Sequence, residues 1–263
     1  MAEVLMKAGA FVAVIIMGNL LRRAGFFKEE DFYVLSKIVL KITLPAAIIS
    51  NFSGIDLKPS MLVMTLLGFG GGILYITMAF FMSIGKEREE RAFNVLNLPG
   101  YNIGNFTMPF AQSFLGPVGV VATSLFDTGN AFVCLGGAYS VAVVTKEKNA
   151  RFSLLPVVKT LLKSLPFDAY LFMTVLSFLH VALPAPITSF TGVIGNANAF
   201  MAMLMIGVGF KLNGDSSQPG KIVRILAARY SLAIILALVF YFLLPFGIEY
   251  RQALTILALS PMS

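Results

Sequence analysis

The chain has 263 residues, of which 57% are hydrophobic and only 13% are charged. A soluble domain of this length has about a quarter of its residues charged, so this composition excludes an ordinary soluble protein. The formal net charge of +7 does not indicate a nucleic-acid partner, because the cations lie in alternate loops between apolar runs. Those runs are each near the ~20 residues that cross a bilayer, which predicts an all-α, polytopic membrane protein embedded in lipid.

The sequence holds a single cysteine, Cys134, and a single histidine, His180. These numbers exclude a disulfide framework and a cysteine-rich metal site, and we expect no metal and no cofactor. The first apolar run is followed by the basic pair Arg22-Arg23, whereas a signal peptide has its basic residues first. We therefore expect this run to be the first membrane helix.

Predicted helices follow one another along the whole chain. They cover residues 4–21, 32–52, 60–84, 92–116, 118–144, 168–183, 187–210 and 222–246, and a ninth segment begins near 249. The third helix contains a cluster of glycines that predicts close helix packing, namely Gly68, Gly70, Gly71 and Gly72. Residues 145–165 are basic and amphipathic, which is typical of an interfacial connector. Arg229 lies one to two turns inside the eighth helix, where we expect its side chain to snorkel to the surface.

Loop cations predict the orientation. They cluster after helices 1, 3, 5 and 7, whereas the opposite side has only Lys7, Lys58 and Arg251. The positive-inside rule then puts the N-terminus outside and the connector 145–165 in the cytoplasm of a cell (inner) membrane protein.

Five predicted spans precede the connector, so a second half of the same design must be inverted. Residues 1–144 form the first predicted repeat and residues 166–263 the second. The fourth helix opens Arg91-Ala92-Phe93 and reaches Leu98-Pro99, while the ninth segment opens Arg251-Gln252-Ala253 and reaches Ser260-Pro261. By this count the chain ends within helix 9, and we expect a C-terminally truncated form of a longer protein.

The fourth predicted helix, 92–116, is uncharged but poorly suited to a continuous helix. Pro99-Gly100 interrupts it, Pro109 is expected to interrupt it again, and Pro261 is the expected equivalent in the ninth segment. Irregular backbone at membrane depth survives only inside protein or beside a cavity, and secondary transporters bind substrate at such broken helices. The alternative is an ordinary kinked helix. The candidate substrate-binding residues between the prolines are Asn102, Gly104, Asn105 and Thr107.

Three stretches resemble motifs of the auxin efflux carrier family, whose bacterial members include malate- and malonate-type permeases. They are GNLLRRAGF at 18–26, LKITLPAAII at 40–49 and NIGNFTMP at 102–109. In the third stretch, Ile103 and Thr107 replace the threonine and glycine that the family favours. The resemblance implies ten helices in two inverted five-helix repeats, with helices 4 and 9 crossing near mid-membrane. It also implies separate panel and transport domains and an elevator-like movement.

Two charged residues deep in predicted helices are further candidates. Asp127 is the only acid well inside a span, where burial favours its neutral form and suits proton coupling; the alternative is a structural acid bonded to Asn130 or to a neighbouring helix. Lys41 lies about 14 Å into the second helix at helical rise and could attract an anionic substrate or pair with Asp127.

The pattern predicts a secondary active transporter of small organic anions, with carboxylates as the expected class and protons as the first choice of coupling ion. The nearest alternative is a sodium-coupled carrier similar to the bile acid symporters; a passive channel and a non-transporting receptor also stay open, as does a homodimer. An enzyme is not predicted, because one histidine, one cysteine and one deep acid supply neither a nucleophile-base pair nor a metal cluster.

Overall fold

The computed structural model describes residues 2–53, 55, 57–147, 150–211 and 219–262, and the residues it describes form helices and no strand. Lys148, within the predicted connector, lies outside them. The α-helices are α1 (Ala2–Arg23), α2 (Asp31–Ile38), α3 (Leu44–Phe52), α4 (Val63–Met82), α5 (Arg88–Asn97), α6 (Met108–Phe132), α7 (Ala138–Lys146), α8 (Leu155–Leu161), α9 (Leu165–Phe178), α10 (Ala185–Asn196), α11 (Asn198–Gly209), α12 (Pro219–Phe242) and α13 (Ile248–Ala258). Val39–Thr43, Ile103–Thr107 and Val133–Gly137 are π-helical, and Pro59–Leu62 is a 3₁₀ turn.

Within the described residues, six helical stretches are long and apolar enough to cross a membrane. A seventh is obtained if α8 and α9, which are bent by 79° relative to each other, are counted as one span. The protein is therefore a multi-helix membrane protein, as its composition predicts.

The helix boundaries differ from the predicted ones in two places. The second half of the fourth predicted helix runs together with the fifth as a helical stretch of 44 residues, Ile103–Lys146, although the backbone leaves the helical region at Gly116 (φ +57°). The seventh predicted helix is found as one apolar stretch, Ala185–Gly209, in which α10 ends at Asn196 and α11 begins at Asn198. Neither detail was predicted, because hydropathy reports the length of an apolar run and is insensitive to local backbone conformation.

Glycines set the closest helix contacts, as the cluster in the third predicted helix suggested. A Cβ on Gly68 of α4 would lie 2.0 Å from the Phe126 carbonyl oxygen, and one on Gly129 of α6 would lie 1.9 Å from that of Thr65. Gly71 and Gly72 also face tight contacts, but Gly70 has nothing within 4 Å. Helices α4 and α6 therefore meet backbone to backbone, which only residues without a side chain permit.

The buried apolar side chains form two main clusters. The larger one joins α3 to the helices α4–α6, α9, α12 and α13, and the smaller one joins α2 to α11. Connector helix α8 packs Val157 and Leu161 into a separate small cluster with Ala131 and Phe167, and leaves Leu155 and Val158 exposed. This one-sided burial is the amphipathic pattern that was predicted for the connector.

Candidate functional site

The candidate site is built around a gap in helical structure at residues 98–102, here called the interruption. Helix α5 ends at Asn97, and helical structure resumes at Ile103. Pro99 has no backbone N–H to continue the helix, and Gly100 adopts φ +85°, a conformation that favours glycine. Residues 98–102, which include Pro99 and Gly100, are thus not helical.

Asn130 supplies the hydrogen bonds that the interruption lacks. Its Oδ1 accepts from the Tyr101 backbone N–H at 3.0 Å, and its Nδ2 donates to the Tyr101 carbonyl at 2.9 Å. The side chain is 1% exposed. A buried amide that pairs with both backbone groups of one residue imitates a backbone partner, so irregular backbone is tolerated here inside the protein.

Asp127 lies one helical turn before Asn130 and is held by neutral groups. Its Oδ1 accepts from Asn130 Nδ2 at 2.8 Å, and its Oδ2 accepts from the Tyr170 hydroxyl at 3.0 Å. Among the described residues no lysine or arginine forms an ion pair with it. The sequence left open that Asp127 is a structural acid bonded to Asn130, and this hydrogen bond is present. The carboxyl nevertheless borders a cavity.

That cavity has a volume of about 320 Å³, within the range of small-molecule sites. All three π-helical segments contribute to its wall, and such segments frequently occur at functional sites. Among the described residues that line the cavity, Asp127 is the only Asp, Glu, Lys, Arg or His. The lining residues with polar or aromatic side chains are Tyr101, Asn102, Asn105, Asp127, Asn130, Ser164, Phe167 and Tyr170.

Five of the predicted site residues meet at this cavity: Asn102, Gly104, Asn105, Asp127 and Asn130. The Asn105 Oδ1 atom is buried there without a hydrogen-bond partner. Thr107 does not line the cavity, because its buried hydroxyl shares a 2.7 Å hydrogen bond with that of Ser260.

Lys41 is exposed on the outer surface of its helix and does not line the cavity. The ion pair with Asp127 that the sequence allowed is not formed, since Lys41 is exposed at the surface whereas Asp127 borders the cavity.

The second interruption that was predicted at Pro109 is not present in the structure. Pro109 lies in the first turn of α6, directly after the π-helical segment Ile103–Thr107, and the backbone stays helical there. A proline is tolerated where the hydrogen-bond register already changes, because its missing N–H breaks no regular bond. The backbone next leaves the helical region at Gly116.

Pro261 lies in a short non-helical segment, residues 259–262, that follows α13 and is here called the C-terminal segment. The Asn102 backbone N–H donates to the Pro261 carbonyl at 2.9 Å. Together with the Thr107–Ser260 bond, this contact joins the C-terminal segment to the interruption.

Arg229 is the residue that sequence reasoning misplaced. Its side chain is 0% exposed and does not snorkel. Nη1 donates to the Leu98 carbonyl at 3.2 Å, and Nη2 donates to the Ser260 carbonyl at 3.1 Å. The guanidinium also lies over two tyrosine rings, 4.0 Å from the centroid of Tyr75 and 4.4 Å from that of Tyr101. The available signal was the pair of tyrosines within apolar stretches, since a buried tyrosine usually has a polar partner.

No group of three or more His, Cys, Asp or Glu that could hold a metal ion occurs among the described residues. A scan against protein-family models finds no match for the chain, and a search of curated proteins finds none either. The resemblance to the auxin efflux carrier family therefore continues to depend on the three sequence motifs.

Proposed function

We propose that the protein is a secondary active transporter of small organic anions, carboxylates in particular, that works by alternating access. The observation that carries this proposal is the cavity at the interruption, where irregular backbone, three amide side chains and one deep carboxyl converge. Secondary transporters place their sites at such discontinuous helices, where unpaired backbone groups and helix ends face the solute.

In this proposal the anion lies beside Asn102 and Asn105, whose amides donate hydrogen bonds to its oxygens. The helix that resumes at Ile103 directs the positive end of its dipole toward the same place. Asp127 opposes an anion when it is ionised and admits one when it is protonated. Anion and proton therefore bind together, which makes Asp127 the coupling residue and Asn130 its support.

The finer architecture is part of the same proposal. Residues 1–144 and 166–263 form inverted repeats around the connector 145–165, and the two interrupted segments form the crossing. The hydrogen bond from Asn102 to Pro261 supports the crossing, and the division of the buried side chains into two main clusters supports separate moving and static parts. The loop cations support a cytoplasmic connector.

The test is uptake of radiolabelled malonate into proteoliposomes that hold the purified protein and have an alkaline interior. We expect accumulation driven by the inward proton gradient, and we expect Asp127→Asn to reduce it to the level of protein-free vesicles. Asp168→Asn is the matched control, because Asp168 lies in the first turn of α9 and does not line the cavity. It should retain uptake.

The other outcomes each replace the proposal. Accumulation that follows a sodium gradient and survives Asp127→Asn would indicate a sodium-coupled carrier. Malonate flux without saturation or counterflow would indicate a channel, and saturable binding without accumulation would indicate a receptor.

A further inference from the structure

Arg229 has an unusual role for a buried cation, because its hydrogen bonds go to the ends of two helices. The Leu98 carbonyl lies at the C-terminal cap of α5, and the Ser260 carbonyl lies two residues after α13. Both ends carry the partial negative charge of a helix dipole. The guanidinium is permanently charged and planar, so it can bridge two carbonyls that a lysine would contact one at a time.

This arrangement changes the charge balance around the cavity. In an interrupted helix, the negative end of the first half normally faces the positive end of the second half. Here Arg229 is bound to the negative end of α5, while Ile103 and Gly104, at the positive end of the following segment, line the cavity. The positive end is therefore the unopposed one.

Tyr101 connects the cation to the cavity. Tyr101 lines the cavity and its ring carries the Arg229 guanidinium at 4.4 Å from the ring centroid, while Arg229 itself does not line the cavity. Asn130 holds the backbone of Tyr101 on both sides, and a Cβ on Gly71 would lie 2.5 Å from the Tyr101 hydroxyl, so the ring has little room to move. The positive charge is thus separated from the cavity by one residue, Tyr101, and does not contact a solute there.

We infer that Arg229 determines the charge preference of this cavity without touching the solute. It neutralises the negative helix ends at the interruption and supplies a fixed positive field through Tyr101, so that a carboxylate is bound in preference to its uncharged isostere. The inference rests on the proposed function, because it concerns the solute of the same cavity. With Asp127 protonated, no other Asp or Glu of the described lining opposes that field.

The experiment compares the binding of malonate and of malonamide, its uncharged isostere, to the detergent-purified protein at mildly acidic pH. We expect the wild-type protein to prefer malonate by roughly tenfold, the size of an attenuated charge interaction between groups that are not in contact. Arg229→Gln should weaken malonate by roughly tenfold and leave malonamide within about twofold. A purely structural role would weaken both ligands equally.

Arg251→Gln is the matched control. Arg251 is partly buried, donates to the Tyr241 carbonyl at 3.1 Å and lies 5.9 Å from the ring of Tyr241, but it is not at the cavity. It should leave both affinities unchanged. If Arg229→Gln does not fold, Arg229→Lys decides instead, because it retains the charge while losing the two-carbonyl bridge. Retention of the malonate preference supports the inference, and a parallel loss for both ligands overturns it.

Failure of the inference and failure of the proposed function give different results. A wild-type preference for malonate that survives Arg229→Gln overturns the role of Arg229 and leaves the anion carrier in place. A wild-type protein that binds malonamide as well as malonate, or binds neither, overturns the anion carrier and the inference with it.

Discussion

Asp127 and Arg229 both lie inside apolar helices, and neither has an oppositely charged partner among the described residues. Their surroundings are otherwise opposite. Asp127 accepts two hydrogen bonds from neutral donors and borders a cavity, whereas Arg229 donates to two carbonyls, lies on two tyrosine rings and is fully buried. A buried charge without a counter-ion requires such neutral hydrogen bonds. The comparison shows that one charge is placed where it can meet a ligand and the other where it fixes backbone.

The largest effect on stability is expected when the buried charge of Arg229 is removed. Arg229→Met leaves the Leu98 and Ser260 carbonyls without their donor, and hydrogen bonds to charged groups contribute about 1.5–3 kcal/mol each. We expect the free energy of unfolding in detergent to fall by about 3–6 kcal/mol. The control is Arg224→Met in the same helix, whose partner Glu90 is at the surface. Equal losses in the two variants would show that Arg229 does not hold the interruption.

A smaller effect is expected at the other charge. Tyr170→Phe removes the hydroxyl that donates to Asp127, and the loss of one such bond should lower the free energy of unfolding by about 1–3 kcal/mol. Tyr139→Phe is the matched control, since that side chain is exposed on α7. Chemical denaturation of both variants beside the wild-type protein measures the difference. A neutral result for Tyr170→Phe would mean that Asp127 does not depend on this contact.

The smallest effect should come from a surface ion pair, which serves as the reference for both buried charges. The hydrogen bond from Arg224 holds the pKa of Glu90 below the usual value of a glutamate side chain. The associated stabilisation is therefore complete above the unfolded pKa and is lost as the pH falls through the lower folded value. Glu90→Gln should lower the melting temperature slightly at about pH 7 and have no effect at acidic pH, and salt should diminish the change. A large shift that persists at high salt would contradict this assignment.

The sequence was informative about those features of the site that depend on local chemistry. Pro99 and Gly100 predicted the end of α5 because one lacks a donor and the other permits φ +85°. Asp127 was identifiable as a deep acid from hydropathy alone. The interruption predicted at Pro109 was wrong, because the π-helical segment before it accommodates the proline. That segment has no signal in the hydropathy pattern.

The membrane class and the division of the chain into apolar helices and basic loops were determined by the sequence itself, because burial in lipid depends on the composition of each run. The tertiary structure decided which polar groups meet. Asn130 binds Tyr101 across 29 residues, and Arg229 binds Leu98 across 131. Such partners depend on the rotation and register of packed helices, which arise from contacts between distant segments and leave no trace in local composition.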